Sequence, residues 1–151
     1  MFLLPRLEKE EIPAKPSDLS VLSVSKITCK LDLKGKGSLE LALYRHMAPL
    51  TVNSIIRVLP IVGRVSIFPR TVCLLTGIRT GVEKQRYEYG AGDAAFMASS
   101  GMLCLMLGST KSDRPLNPVG KIEGTLEILE KAGPGDTIEI RLLQEAAADQ
   151  T

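Results

Sequence analysis

The chain has few of the residues on which most functional sites depend. Its 151 residues include one histidine, three cysteines and no tryptophan, and aromatic residues make up only 4%. The cysteines, Cys29, Cys73 and Cys104, are odd in number, widely spaced and placed in apolar strand-like patterns, which predicts neither a zinc motif nor a disulfide framework. We therefore expect buried free thiols in a reducing compartment, and no metal or cofactor.

Long apolar runs are absent as well. The longest, at residues 102–107, is far below the roughly 20 residues that a membrane-spanning helix needs. Residues 1–4 are too short for the apolar region of an export signal, and a proline and charged residues follow them. These features predict a cytoplasmic protein that does not associate with membranes.

Recognised catalytic and nucleotide-binding motifs are also missing. The single histidine, His46, has no carboxylate or nucleophile at a recognised spacing. The pattern from Gly77 to Gly81 lacks the Lys-Ser/Thr ending of a phosphate loop, and Ser99 and Ser100 are not in a G-x-S-x-G elbow. The sequence therefore gives no support to a hydrolase, a nucleotide-binding enzyme or a metalloenzyme.

Charge is nearly balanced but unevenly distributed along the chain. Lys and Arg total 19 against 17 Asp and Glu, a net charge of +2. Residues 41–82 contain arginines but no acidic residue, whereas acidic residues predominate from residue 122 onward. Two interpretations stay open: the two parts neutralise one another on a mixed surface, or the arginines attract an anionic partner. Nucleic acid is not favoured, because the aromatic residues are not interleaved with the basic ones as a stacking platform requires.

The pattern that dominates the chain is the period-two alternation of half-buried strands. Residues 27–33 and 39–43 alternate around a Lys-Gly-Lys-Gly turn and predict a hairpin. Further strands are predicted at residues 64–68, 71–78, 85–89, 94–97, 102–107, 119–122 and 138–142. Residues 52–59 are apolar at i, i+3, i+4 and i+7 between Pro49 and Pro60, which predicts a helix, and residues 125–131 predict a second, shorter one.

These elements predict one domain. Residues 1–20 are expected to form an extended arm, residues 21–144 the domain, and residues 145–151 a polar tail. About eight strands and two helices without an internal repeat favour a closed antiparallel β-barrel capped by helices over a parallel sheet, which needs a helix in every crossover. Barrels of this size often self-associate, so a homo-oligomer stays open.

Four further segments are informative through their order and spacing along the chain. They are Ala48-Pro49-Leu50-Thr51-Val52-Asn53, Phe68-Pro69-Arg70, Met97-Ala98-Ser99-Ser100-Gly101 and Val119-Gly120-Lys121-Ile122. Their order and spacing resemble those of cyclophilins, and with the stretches at residues 92–93, 103–110 and 117–122 the chain is most similar to the small prokaryotic cyclophilin-like proteins of unassigned role. The resemblance covers residues 22–142 and implies a cyclophilin-like barrel with a groove.

The resemblance implies that Arg70 takes the place of the catalytic arginine. A guanidinium that donates to the prolyl nitrogen would weaken the partial double bond, whose barrier to rotation is ~18–20 kcal/mol, without any acid, base or nucleophile. The ligand-binding residues expected around it are Phe68, Phe96, Met97, Ser99, Met102 and Leu105.

Departures from the cyclophilin pattern weaken the catalytic interpretation. The chain has Leu75-Thr76-Gly77 where active cyclophilins have Gln-Gly-Gly, and Leu103-Cys104-Leu105 where they have Gln-Phe-Phe. We therefore expect a binding module that takes a peptide or a small anionic ligand in a groove near Arg70, with Arg64 and Arg79 as further contacts. A peptidyl-prolyl cis-trans isomerase that uses Arg70 is the alternative.

Overall fold

Nine strands and two short helices make up the part of the chain that the computed structural model describes, residues 26–146. The predicted arm at residues 1–20 lies outside it. The strands are β1 (Lys26–Leu33), β2 (Gly37–Tyr44), β3 (Ile61–Phe68), β4 (Thr71–Leu75), β5 (Arg86–Tyr89), β6 (Asp93–Met97), β7 (Met102–Met106), β8 (Thr110–Glu123) and β9 (Thr137–Ala146). The helices are α1 (Pro49–Val58) and α2 (Glu127–Glu130). The last strand continues to Ala146, past the predicted start of the polar tail.

The strands form one antiparallel sheet that closes into a ring. Their order is β2-β1-β9-β3-β4-β7-β6-β8-β5, and β2 pairs with β8 to complete the circle. The closing contact is a short ladder in which Leu41 lies opposite Ile122 and Leu43 opposite Gly120. The predictions of a mainly β chain, an antiparallel sheet and two short helices are confirmed.

The alternation in the sequence explains which side of the ring is filled. Along β1, Ile27, Cys29, Leu31 and Leu33 are completely buried, while the residues between them are only partly covered. The same parity holds in β9, where Ile138 and Ile140 are buried. These side chains meet those of the other ring strands in one main core inside the ring.

Helix α1 packs its apolar stripe into this core through Val52 and Ile55. No side chain of the helix caps its N-terminus; instead Glu83 accepts hydrogen bonds from the backbone N–H groups of Leu50 (3.0 Å) and Thr51 (2.6 Å). A carboxylate at this end satisfies free amides and complements the helix dipole. The loop between β4 and β5 thereby fixes the helix. At ten residues, α1 is the longer of the two described helices, and neither is long and apolar enough to cross a membrane.

A buried asparagine ties that loop to the sheet. Asn117 of β8 accepts hydrogen bonds from the backbone N–H groups of Glu83 (2.7 Å) and Lys84 (3.1 Å) through Oδ1. Its Nδ2 donates to Thr51 Oγ1 (2.9 Å) and to the Gly81 carbonyl oxygen (2.8 Å). Since both polar atoms of this side chain are hydrogen-bonded within the fold, we assign Asn117 a structural role, which is to hold the β4–β5 loop and α1 against β8.

Strand β8 differs most from its prediction. The sequence predicted a strand only at residues 119–122, but β8 starts at Thr110. The first half of β8 pairs with β5, and Tyr89 lies opposite Thr110. Local composition indicated a loop, but pairing with a strand distant in sequence decided the outcome, as is common for β structure. The strand predicted at residues 71–78 ends earlier, at Leu75.

A second, smaller core lies between this β5–β8 layer and the outer face of the ring. It consists of Cys73, Tyr89, Ala95, Cys104, Met106 and Leu116. Tyr89 donates its hydroxyl hydrogen to the Leu116 carbonyl oxygen at 2.7 Å, and burial raises the pKa of Tyr89 to about 12. The hydroxyl therefore joins β5 to β8 over the ring.

Replacing Tyr89 by phenylalanine should lower the free energy of unfolding by about 1–2 kcal/mol at neutral pH, because a buried carbonyl loses its donor. The raised pKa favours the neutral phenol in the folded state, so this stabilisation is present below pH 10 and is lost as pH rises towards about 12. The stability difference between the native chain and Tyr89→Phe should therefore narrow over that range. Urea unfolding at several pH values measures it; a constant difference would contradict the assignment.

Candidate functional site: a cavity between strands β4, β7 and β8

A cavity of about 550 Å³ opens on the outer face of the ring, between β4 and β7 on one side and β8 on the other. We call it the β4–β8 cavity. Its floor is built from side chains of β4 and β7: Thr71, Cys73, Met102, Cys104 and Met106. The rest of its lining consists of Phe68, Pro69, Met97 and Ser100, and of Thr110, Lys111, Ser112, Asp113 and Leu116 from β8.

The unbroken apolar run of β7 explains why the floor is apolar. Leu103 and Leu105 point into the main core, whereas Met102, Cys104 and Met106 have the opposite parity and face the cavity and the second core. A strand that is apolar on both faces needs cover on both faces. Here the ring interior covers one face, and the β8 layer covers the other only in part.

Two thiols meet in the floor. Cys73 and Cys104 lie directly opposite one another on β4 and β7, and their Sγ atoms are 3.5 Å apart. The hydrogen bond between them lowers the pKa of Cys73 and raises that of Cys104, whose pKa burial raises further. Thr71 Oγ1 approaches Met106 Sδ at 3.7 Å in the same floor. The result is a soft, sulfur-rich surface.

Arg70 occupies the tight turn between β3 and β4. The turn consists of Pro69 and Arg70 between the paired residues Phe68 and Thr71, and Arg70 has φ of 59°. Its Nη1 donates to the Ser109 carbonyl oxygen at 3.1 Å. The cavity lining includes both neighbours of Arg70 but not Arg70 itself. In this conformation the guanidinium links the β3–β4 turn to the β7–β8 connection.

The backbone conformation of Arg70 predicts that glycine at this position gives a more stable protein than alanine. A side chain in the left-handed region costs roughly 1–2 kcal/mol, which glycine avoids. Arg70→Gly and Arg70→Ala both lose the hydrogen bond to Ser109, but only the alanine variant keeps the strain. We expect Arg70→Gly to be more stable than Arg70→Ala by about 1 kcal/mol. Thermal unfolding of the two variants measures this; an alanine variant as stable as the glycine variant would contradict it.

The structure brings together only some of the predicted ligand-binding residues. Phe68, Met97 and Met102 line the β4–β8 cavity. Phe96 and Leu105 are completely buried in the main core, on the opposite face of the sheet, and do not line it. The reason is parity, since each is one residue away from an outward-facing neighbour.

The other predicted contacts lie elsewhere. Ser99 and Arg79 line a separate pocket of about 130 Å³ between the turn before β7 and the loop after β4. Arg64 is exposed on β3, opposite Thr137 of β9. The predicted arginines are therefore on three different elements, and neither Arg64 nor Arg79 lines the β4–β8 cavity.

Of the cavity floor, only Met102 was predicted from the sequence, and none of the β8 side was. The signal available was the alternation within residues 102–106, which separates two methionines and a cysteine from the core leucines. Nothing local indicated that residues 110–113 would lie across from them, because that depends on the pairing of β5 with β8. Within residues 26–146, no three His, Cys, Asp or Glu side chains are grouped so as to hold a metal ion.

Comparison with known proteins shows similarity in fold only. No family model and no curated protein matches the chain. Among solved structures, the hypothetical protein AF2241 from Archaeoglobus fulgidus superposes with a TM-score of 0.67 at 20% identity, over 78% of this chain and 95% of that one. McbB in complex with tryptophan superposes with a TM-score of 0.59 at 14% identity, over 75% of this chain and 44% of that one. The chain thus corresponds to less than half of McbB and to nearly all of AF2241, and it shares their β-rich fold.

Proposed function

We propose that the chain is a cyclophilin-like β-barrel domain that binds an apolar peptide segment in the β4–β8 cavity, beside the Pro69-Arg70 turn, without strong catalysis. The observation that carries the proposal is the open cavity of about 550 Å³ with a floor of methionine and cysteine side chains. Ligand pockets in proteins are typically about 300–1,000 Å³, mainly apolar, with a few polar groups. This cavity fits that description.

The side chains around the cavity favour an apolar segment of a peptide. Met97, Met102 and Met106 are flexible and polarisable, so they can adapt to side chains of different shape. Phe68 leaves 50% of its surface exposed at the edge, which offers a further apolar contact. On the β8 side, Thr110 Oγ1 donates to the Gly108 carbonyl oxygen and Ser112 Oγ accepts from the Arg114 backbone N–H, so Thr110 can still accept, and Ser112 can still donate, a hydrogen bond to a peptide backbone.

A small anionic ligand is less well supported by the same cavity. The charged residues in its lining are Lys111 and Asp113, one of each sign. Arg64 and Arg79 are on other elements, so they do not provide a concentrated positive site here. Of the two ligand classes expected from the sequence, a peptide and a small anion, the lining of the cavity therefore favours the peptide.

Prolyl isomerisation remains the catalytic alternative, and the position of Arg70 argues against strong activity. The mechanism needs a guanidinium that points at a bound prolyl amide, whereas that of Arg70 donates to the Ser109 carbonyl oxygen. Catalysis would require this hydrogen bond to break and the side chain to turn into the cavity.

One experiment addresses both binding and catalysis. A capped Ala-Ala-Pro-Phe peptide is titrated with the protein. NMR then follows the chemical shifts of the peptide and the rate of exchange between its cis and trans forms. We expect saturable binding with little acceleration of exchange. Free tryptophan, the molecule bound in the McbB structure, serves as a second probe. Binding of neither probe would remove support for the proposal, while strong acceleration that Arg70→Gly abolishes would favour the isomerase.

A further inference from the structure

We propose that Cys73 and Cys104 form a reversible redox site, in which a hydroperoxide that enters the β4–β8 cavity converts the two thiols into a cross-strand disulfide. Both thiols are free, both belong to the cavity lining although only 3% of Cys73 and 2% of Cys104 is exposed, and their sulfur atoms are already in contact at 3.5 Å. This inference does not rest on peptide binding, because it uses only the floor of the cavity and its opening.

The strand register gives the pair the spacing that a disulfide requires. Just beyond the end of the β4–β7 ladder, the Leu107 backbone N–H donates to the Arg70 carbonyl oxygen at 2.7 Å, so these two residues form a hydrogen-bonded pair. Hydrogen-bonded and non-bonded pairs alternate along antiparallel strands, which places Cys73 and Cys104, three positions further, in a non-bonded pair. The Cα atoms of such pairs are about 4.5 Å apart, within the range of roughly 4.4–6.8 Å observed for disulfides.

The two thiols are also chemically unequal, which suits a two-step oxidation. The hydrogen bond that the two sulfur atoms share lowers the pKa of Cys73 and raises that of Cys104, which favours the thiolate at Cys73 and the thiol at Cys104. A thiolate is the nucleophile in cysteine oxidation, and a neighbouring thiol resolves the product. The floor therefore contains an attacking sulfur and a resolving sulfur in direct contact.

The reaction balances with hydrogen peroxide as the oxidant. The Cys73 thiolate attacks one peroxide oxygen, the O–O bond breaks, and the departing hydroxide takes up a proton to become water, leaving a sulfenic acid. The Cys104 sulfur then attacks the Cys73 sulfur, its proton leaves with the sulfenic hydroxyl as a second water, and the S–S bond forms. Two thiols are oxidised and one peroxide is reduced to two waters. A dithiol reductant reverses the change by thiol–disulfide exchange.

The test treats the folded full-length protein with hydrogen peroxide and then counts thiols in denaturant. The three free cysteines of the reduced protein should fall to one, with the loss of two hydrogens in the intact mass. Proteolysis and mass spectrometry should find Cys73 linked to Cys104, and reductant should restore all three thiols. Because this measurement uses the native chain, it does not depend on whether any variant folds.

Matched variants identify the attacking sulfur. Cys29 lies in the main core, completely buried, with its pKa raised to about 11 by burial, so Cys29→Ser should oxidise like the native chain. Cys104→Ser should stop at a sulfenic acid on Cys73 that a dimedone reagent captures. The inference would be overturned if peroxide oxidised methionine residues without forming the Cys73–Cys104 disulfide. It would also be overturned if that disulfide formed only in denaturant.

Discussion

Replacing Gly120 by alanine should destabilise the protein by at least about 3 kcal/mol, a large part of the roughly 5–15 kcal/mol that stabilises a typical domain. A Cβ atom on Gly120 would lie 1.8 Å from the Ala42 carbonyl oxygen and 2.8 Å from the Ala42 carbonyl carbon. Both are backbone atoms of β2, so no side chain can move aside. The strands would have to separate where β2 and β8 close the ring.

Urea unfolding measures this effect, with Gly81→Ala as the control. A Cβ atom added to Gly81 would have no heavy atom within 4 Å, and the φ of this residue is not in the left-handed region. Alanine at that position should leave stability unchanged or raise it slightly, by about 0.4–1 kcal/mol. If Gly120→Ala were as stable as the control variant, β2 and β8 would not be paired in this register and the ring would be open.

Replacing Met102 by glutamate should weaken binding of the Ala-Ala-Pro-Phe peptide at least tenfold, which corresponds to about 1.4 kcal/mol. Met102 lies in the cavity floor on β7. A carboxylate there must lose its hydrating water when the peptide binds, which is costly, or must keep the peptide out of the cavity. Because Met102 is only partly buried, the unliganded variant can hydrate the new charge and should still fold.

The control for this variant comes from the strand opposite. Leu75 pairs directly with Met102 across the β4–β7 ladder, is 59% exposed and does not line the cavity. Leu75→Glu adds the same charge next to the cavity and should change the dissociation constant less than twofold. Equal weakening by both variants would indicate a general charge effect and would remove the argument for binding in the cavity.

The sequence predicted the ring core better than the site because the two depend on different information. Alternation in residues 27–33 directly specifies one buried face, and the structure has that face in the main core. The helix at residues 52–59 likewise follows from its apolar spacing and from Pro49 and Pro60, and the structure has it at Pro49–Val58. Each of these elements is encoded within its own segment.

The cavity is not encoded in this way. It exists because the first half of β8, which is mostly polar and contains Pro115, pairs with β5 and lies away from the outer face of β4 and β7. Phe96 and Leu105 were expected in the groove because the resemblance named segments of β6 and β7 without their strand parity. That parity places Met97 and Met102 at the cavity and the residues beside them in the main core. Arg70 shows the same limit, since its hydrogen bond to Ser109 depends on a turn conformation.

The most direct test of ligand binding in the β4–β8 cavity uses the methionine methyl groups as reporters. The chain has five methionines, of which Met97, Met102 and Met106 line the cavity and Met47 precedes α1 on another part of the fold. In a methyl NMR titration with the Ala-Ala-Pro-Phe peptide, we expect the three cavity signals to shift together and to saturate at one affinity, while Met47 stays unchanged. A saturable shift at Met47 with unmoved cavity signals, or no shift at any methionine, would contradict the account.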